Sequence, residues 1–244
     1  MELKFLHFYP DLMSLYGSYA NVLLLKKHLE DLGNTVVVEV VRPGGDADIA
    51  GADFVYMGAG TERSQKAALK DFSRFGEAIR EAAQAGTAML FAGTAMELLG
   101  KTIVDDSGSS YEGIGLGSFT STQDKRRIVG DIYGVTDLYV PAVVGFMNKC
   151  ALISGVETPL LTSCAMGFGN ETLLGPEGFR FNNVLASELT GPLLVKNPLL
   201  LGAVIAAIYQ KRGEALPAEI PSSPFEEDGY AVTAQQLKLR SEKA

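Results

Sequence analysis

Two glycine-bearing strings are where this 244-residue chain could do backbone or side-chain chemistry. In Gly58-Ala59-Gly60-Thr61, two positions without side chains let backbone N–H groups approach a ligand oxygen, as an oxyanion hole or anion cradle requires. By itself Gly-x-Gly more commonly marks a tight turn between strand and helix. In LFAGTAMELLG, Leu90 to Gly100, a strand enters a helix through a sharp turn. That is the geometry of a nucleophile elbow, which holds a Ser or Cys at the sheet's edge with its neighbour's N–H aimed at the oxyanion. The elbow position reads as Ala92, and a methyl group is no nucleophile.

Reactive residues are scarce elsewhere. The chain has two His (His7, His28), two Cys (Cys150, Cys164) and no Trp. Neither pair has metal-ligand spacing, so no metal site is expected, and no cofactor. Cys150 and Cys164 read as small buried residues, reduced in a cytoplasmic protein, since no leader is read at the start. His28, beside Lys26 and Lys27, reads as part of a solvated helix face, and His7 as a strand residue with local hydrogen bonds. Twenty-one Lys and Arg against 29 Asp and Glu leave a charge of −8, which argues against a general nucleic-acid or anionic-membrane surface. The longest apolar run, Leu199 to Tyr209, falls short of the roughly 20 residues a spanning helix needs. Glu226-Glu227-Asp228 reads as a solvated tail.

The elements that must position the two strings follow from hydrophobic periodicity. Leu3 to Tyr9 predicts a strand. Tyr19 to Leu32, after Ser18 as cap, has helical spacing, and Thr35 to Val41 returns to β-branched residues, which together make a βαβ unit with parallel strands. Phe54 to Met57 and Thr87 to Phe91 predict buried strands on either side of a helical stretch, Glu62 to Ala85, broken near Gly76. Later strands are expected at Gly115 to Thr120, Arg127 to Tyr133, Ala142 to Phe146 and Leu160 to Cys164, then a helix from Pro198 to Arg212 and one more around Ala231 to Leu239. The expected fold is α/β, a flavodoxin-like open and mostly parallel sheet with helices on both faces and extra strands in the second half. Residues 1–214 make the domain and residues 215–244 an extension.

Several strings together resemble the CobB/CobQ-like branch of class I glutamine amidotransferases. Within it they are most similar to the glutaminase subunits of lipid II isoglutaminyl synthases. They are the opening segment with Leu15-Tyr16 and Asn21, YMGAGTERSQ from Tyr56, YEGIGLG from Tyr111, RRIVGDI from Arg126, VGFMN from Val144, GFGN from Gly167 and LTGPLLVKNP from Leu189. Carried over residue by residue, the resemblance places the family's nucleophilic Cys on Ala92, its glutamine-contacting Gln on Met96 and its basic His on Thr190, so no catalytic residue is assigned. Gly58, Ala59, Gly60 and Gly93 remain as oxyanion-loop positions, and Arg127 and Asn148 as ligand-binding candidates.

Glutamine hydrolysis in this family passes through a thioester, which needs a thiolate, an imidazole and an oxyanion hole. With the first two gone, the expectation is a catalytically degenerate subunit acting through a partner, which the resemblance implies to be a Mur-ligase-like ATP-dependent subunit. Two alternatives stand beside it: a working amidotransferase component, or a small-molecule binder reusing the glutamine pocket.

Overall fold

The apolar strings form two sheets in a computed structural model that describes residues 1–138 and 142–243. In chain order the elements are β1 (Glu2–Phe8), α1 (Ala20–Asp31), β2 (Thr35–Val41), β3 (Phe54–Met57), α2 (Glu62–Phe72), α3 (Gly76–Gln84), β4 (Ala88–Ala92), β5 (Thr102–Val104), β6 (Ser110–Glu112), β7 (Thr120–Val135) and β8 (Val143–Ser154). There follow β9 (Ser163–Met166), β10 (Phe179–Phe181), β11 (Val184–Ser187), β12 (Leu189–Thr190), α4 (Leu193–Lys196), α5 (Pro198–Arg212) and α6 (Pro224–Ser241). Ala244, the last residue of the expected extension, lies outside the described residues.

The first sheet runs β10-β11-β4-β3-β1-β2, parallel throughout except for β10. From β2 to β11 its order is that of flavodoxin-like sheets, so the mostly parallel α/β expectation holds. Alternation along each strand divides the core. Leu6, Phe8, Val55, Met57, Met89 and Phe91 face α2 and α3, while Leu3, Phe5, Phe54, Tyr56, Leu90 and Ala92 face α1 and α5.

The second half forms its own sheet, β12-β8-β7-β5-β6 with β9 on β7, largely antiparallel. Here the sequence reading needs correction. Gly115 to Phe119 is no strand: the N–H groups of Gly115 and Gly117 donate to the carbonyls of Gly100 and Leu99, folding the segment under the turn that follows β4. The separate strands expected around Arg127 and Ala142 are portions of the long β7–β8 hairpin. Its register breaks between Gln123 and Ile128, a bulge that re-aims Arg127.

One residue, Glu188, carries the chain from β11 in the first sheet to β12 in the second. Asn197 helps hold the second sheet to the helices. Its Oδ1 accepts from Val144 N at 2.8 Å, and its Nδ2 donates to the carbonyls of Val144 and Leu193 at 2.8 Å each, all buried. Asn197→Ala leaves those backbone groups without partners, and a loss of about 2–4 kcal/mol is expected in urea denaturation. A loss below about 1 kcal/mol would rule out this tie as a stabilising one.

Candidate functional site

Parallel strands present their carboxyl ends on one edge of the sheet, and ligands of such folds bind there. β3 ends at Met57 and turns through Gly58-Ala59-Gly60 into α2, whose first turn is capped by Thr61, with Ser64 N donating to Thr61 Oγ1 at 3.1 Å. β4 ends beside it, and β12 brings Thr190 to the same place. Asn21 on α1 fixes that last segment: its Oδ1 accepts from Leu194 N at 2.8 Å and its Nδ2 donates to the Gly191 carbonyl at 3.3 Å.

The elbow falls one residue later than the sequence suggested. Ala92 is still extended, with φ −113° and ψ 141°, and its methyl is wholly buried on the α1 and α5 side. The left-handed turn is at Gly93, with φ 61°. The apolar run through Ala92 gives no sign of where the strand stops, whereas a positive φ marks the turn directly. Four residues beyond Gly93 stands Glu97, not Met96, and Met96 is a core side chain with no exposure.

A Cβ built on Gly93 would lie 2.6 Å from Ala59 Cβ and 3.7 Å from Thr190 Cγ2. The structure thus brings three sequence-derived positions together, but with no nucleophile or base among them. Thr190 Oγ1 donates to the Phe146 carbonyl at 3.1 Å. Thr94, which the sequence reading passed over, closes the loop itself: its Oγ1 accepts from Gly60 N and donates to the Gly60 carbonyl, both at 3.0 Å. The Gly60 N–H proposed to meet a ligand oxygen is therefore already engaged. Gly58 serves packing, since a Cβ there would come within 2.3 Å of Ser18 Oγ.

Arg127 and Asn148 do meet, in a clasp over this edge. Arg127 Nε donates to Asn148 Oδ1 at 2.6 Å and Nη1 to Glu62 Oε1 at 2.7 Å, while Asn148 Nδ2 donates to Tyr16 Oη at 2.8 Å. Burial pushes the Glu62 carboxyl up, but the hydrogen bonds from Arg127, its own backbone N–H and Cys150, with the Arg127 charge, together hold the group below its ordinary value. The cavity left among Ala59, Thr94, Tyr16, Arg127 and Thr190 is about 100 Å³. A second cavity of about 280 Å³, sharing Glu62 and Arg127, opens beside it toward Lys66, Gln123 and Cys150.

Neither thiol is poised for attack. Burial, with the Glu62 charge beside it, pushes Cys150 up to about 12, and its Sγ donates to Glu62 Oε1 at 3.3 Å. Burial likewise pushes Cys164 up to about 12. Both histidines differ from expectation. His7 makes no local hydrogen bond through Nε2, and burial lowers it to about 4. His28 is not on a solvated face but buried, 3.1 Å from Glu226, whose run is accordingly part of α6 rather than a free tail.

Beneath the elbow lies a polar network that no sequence pattern announced. Gln123 Nε2 donates to Gln65 Oε1 at 2.9 Å and to Glu97 Oε2 at 3.0 Å, and Gln65 Nε2 donates to the Thr94 carbonyl at 2.7 Å. Burial drives the Glu97 carboxyl up to about 7. Burial also raises Glu188, whose Oε1 has no partner, and lowers Lys149, whose Nζ donates to the Gly169 and Asn170 carbonyls. The one available signal was position, four residues after the turn. Among the described residues, no group of three or more His, Cys, Asp or Glu could hold a metal, and no helix is long and apolar enough to cross a membrane.

This geometry can be set against known proteins. The CobB/CobQ-like glutamine amidotransferase domain matches residues 4–198. A subunit named lipid II isoglutaminyl synthase (glutamine-hydrolyzing) subunit GatD, from Staphylococcus aureus (strain N315), is 27% identical over 98% of this chain and 95% of its own. The protein of the same name from Streptococcus pneumoniae (strain ATCC BAA-255 / R6) is 31% identical over 89% of this chain and 85% of its own. Among solved structures, a crystal structure of a glutamine amidotransferase superposes with a TM-score of 0.52 at 16% identity, covering 83% of this chain and 98% of that one, a likeness of fold.

Proposed function

We propose, from the premise that the chain belongs to the CobB/CobQ-like glutamine amidotransferase family, that it is a subunit which keeps the glutaminase fold without the glutaminase reaction. Its role in this reading is to bind an ATP-dependent, Mur-ligase-like partner that amidates a lipid II-type peptidoglycan precursor, in the cytoplasm. Residues 1–214 form the amidotransferase-like domain and residues 215–244 the extension.

One observation carries the reading: the elbow residue is Gly93, facing Thr190 across Ala59. Hydrolysis of glutamine requires a thiolate to attack the side-chain carbonyl and an imidazole to take the thiol's proton and return it to the departing ammonia. Neither group stands at these positions. The tie from Thr94 to Gly60 further supports it, because an N–H already satisfied inside the chain stabilises no oxyanion.

Purified protein incubated with glutamine is expected to release no ammonia above a buffer blank. Paired with its ligase, it is expected to support amidation with ammonium but not with glutamine. Ammonia release that is abolished by 6-diazo-5-oxo-norleucine, or amidation driven by glutamine, would sink the reading in favour of a working amidotransferase component.

A further inference from the structure

Polar ties, rather than a packed core, hold the last helix to the body. Only Leu237 of α6 is buried, with Glu226, Tyr230, Ala234 and Ser241 half-buried on the same side at spacings of three and four. Three ties are spread along its length. Glu226 meets His28 at 3.1 Å, Tyr230 Oη donates to the Ala142 carbonyl at 2.6 Å, and Arg240 Nη1 donates to Asp131 Oδ2 at 2.6 Å. His28 Nδ1 is buried with no partner, so the first of these ends is incompletely satisfied.

Packing fails on both flanks. A cavity of about 390 Å³ lies between Val232, Thr233 and Gln236 of α6 and Asp131, Phe146 and Lys196 of the body. Another of about 480 Å³ separates Glu226 and Glu227 from Ala203 and Ala206 on α5, with Leu216 and Ile220 on its wall. A well-seated helix leaves no gaps of that size. Gly229 weakens the middle of the helix relative to alanine, and a Cβ there would meet nothing within 4 Å, so no contact within the chain requires it. Glu214 to Ser223, which leads into α6, forms neither helix nor strand, and from Ala215 to Ser222 no backbone group bonds another among the described residues. The helix is therefore tethered by this segment and not braced by it.

The surface beneath it continues to the elbow edge. Phe146 stands opposite Asp131 across the β7–β8 hairpin and Asn148 opposite Val129, so these four side chains share one face. α6 covers the first pair. The second pair is open, with Val129 58% exposed and Asn148 in the clasp with Arg127 and Tyr16. We propose that α6 is a detachable strap, which leaves the body as one unit on residues 214–223 and uncovers this face from Phe146 to the clasp. Docked, it closes the Phe146 end of the surface; released, it gives the surface up whole. The strap is independent of whether the glutaminase reaction has been lost.

Hydrogen/deuterium exchange on the full chain, read by mass spectrometry, tests it. The amides of α6 are expected to exchange together and about a hundredfold or more faster than those of α5. Leu237→Ala should speed the whole of α6 by about tenfold or more and leave α5 unchanged. Glu226→Ala and Arg240→Ala remove ties at opposite ends, and each should speed the entire helix severalfold. Acceleration confined to the end that lost its tie is fraying, and overturns the strap. Hydroxyl-radical footprinting gives the second readout: oxidation of Phe146 should rise severalfold in Leu237→Ala, while the wholly buried Phe54 stays unchanged. Exchange of α6 no faster than that of α5, or Phe146 oxidation that does not move in Leu237→Ala, also overturns the proposal.

Discussion

Gly93→Cys alone is expected to give a destabilised protein with no glutaminase activity, whereas Ala59→Gly, Gly93→Cys, Thr94→Gly and Thr190→His together should release ammonia from glutamine. A side chain at position 93 must adopt φ near 61°, which costs about 1–3 kcal/mol for a residue other than glycine. It would also press its Cβ to 2.6 Å from Ala59 Cβ, inside any ordinary contact. Removing the Ala59 methyl relieves that overlap, and removing the Thr94 hydroxyl frees the Gly60 N–H for an oxyanion. A histidine at position 190 then stands on the backbone that faces the elbow. The matching set with Gly93→Ser is the silent control. Activity in the single Gly93→Cys variant would show that Ala59 and Thr94 do not close the site. An inactive but folded fourfold variant would remove Gly93 as the nucleophile position.

Glu97→Gln is expected to stabilise the protein at pH 8 by about 3 kcal/mol, and to remove the part of the stability change between pH 4.5 and 7 that comes from this carboxyl. Burial raises this carboxyl from 4.5 to about 7, so in that window the folded protein holds a proton that the unfolded chain releases. The stability this carboxyl contributes is therefore fully present below about 4.5 and is lost as pH rises through 7. At 1.36 kcal/mol per pKa unit the whole loss is about 3 kcal/mol. An amide keeps an acceptor for Gln123 Nε2 and carries no charge toward Glu188. Denaturant midpoints of both proteins across this range give the comparison, because carboxylates elsewhere, such as Asp105, contribute equally to each. A variant less stable than the unmodified protein at pH 8 would end the idea that Glu97 is buried at a cost.

What could be read in advance follows the range of the interactions. β1, α1 and β2 were legible because β-branched and apolar residues repeat locally at strand and helix spacing, and α5 because Pro198 opens it and Gly213 closes it in a left-handed turn. The second sheet was not, because β5 pairs with β7 in parallel and β9 returns to β7, neither of which leaves a local period. The two glycine strings and Thr190 were found as a set, but their register was one residue short at Ala92. A buried strand end and a buried turn share the same apolar composition, and only the backbone angle separates them. Contacts across long sequence separations were invisible in principle. Examples are Thr94 to Gly60, and His28 to Glu226 at a separation of 198 residues.

The passage of the chain through Glu188, from one sheet to the other, sets a timetable. Gly60 and Gly93 leave the ribosome long before Thr190, and at ordinary synthesis rates the gap is on the order of ten seconds. During that interval β1 to β4 can pair, but β11 is missing from their edge and β12 from the hairpin. This edge closes late in the birth of the protein, and a nascent chain stalled before residue 184 would expose the unpaired side of β4 to whatever holds unfinished chains.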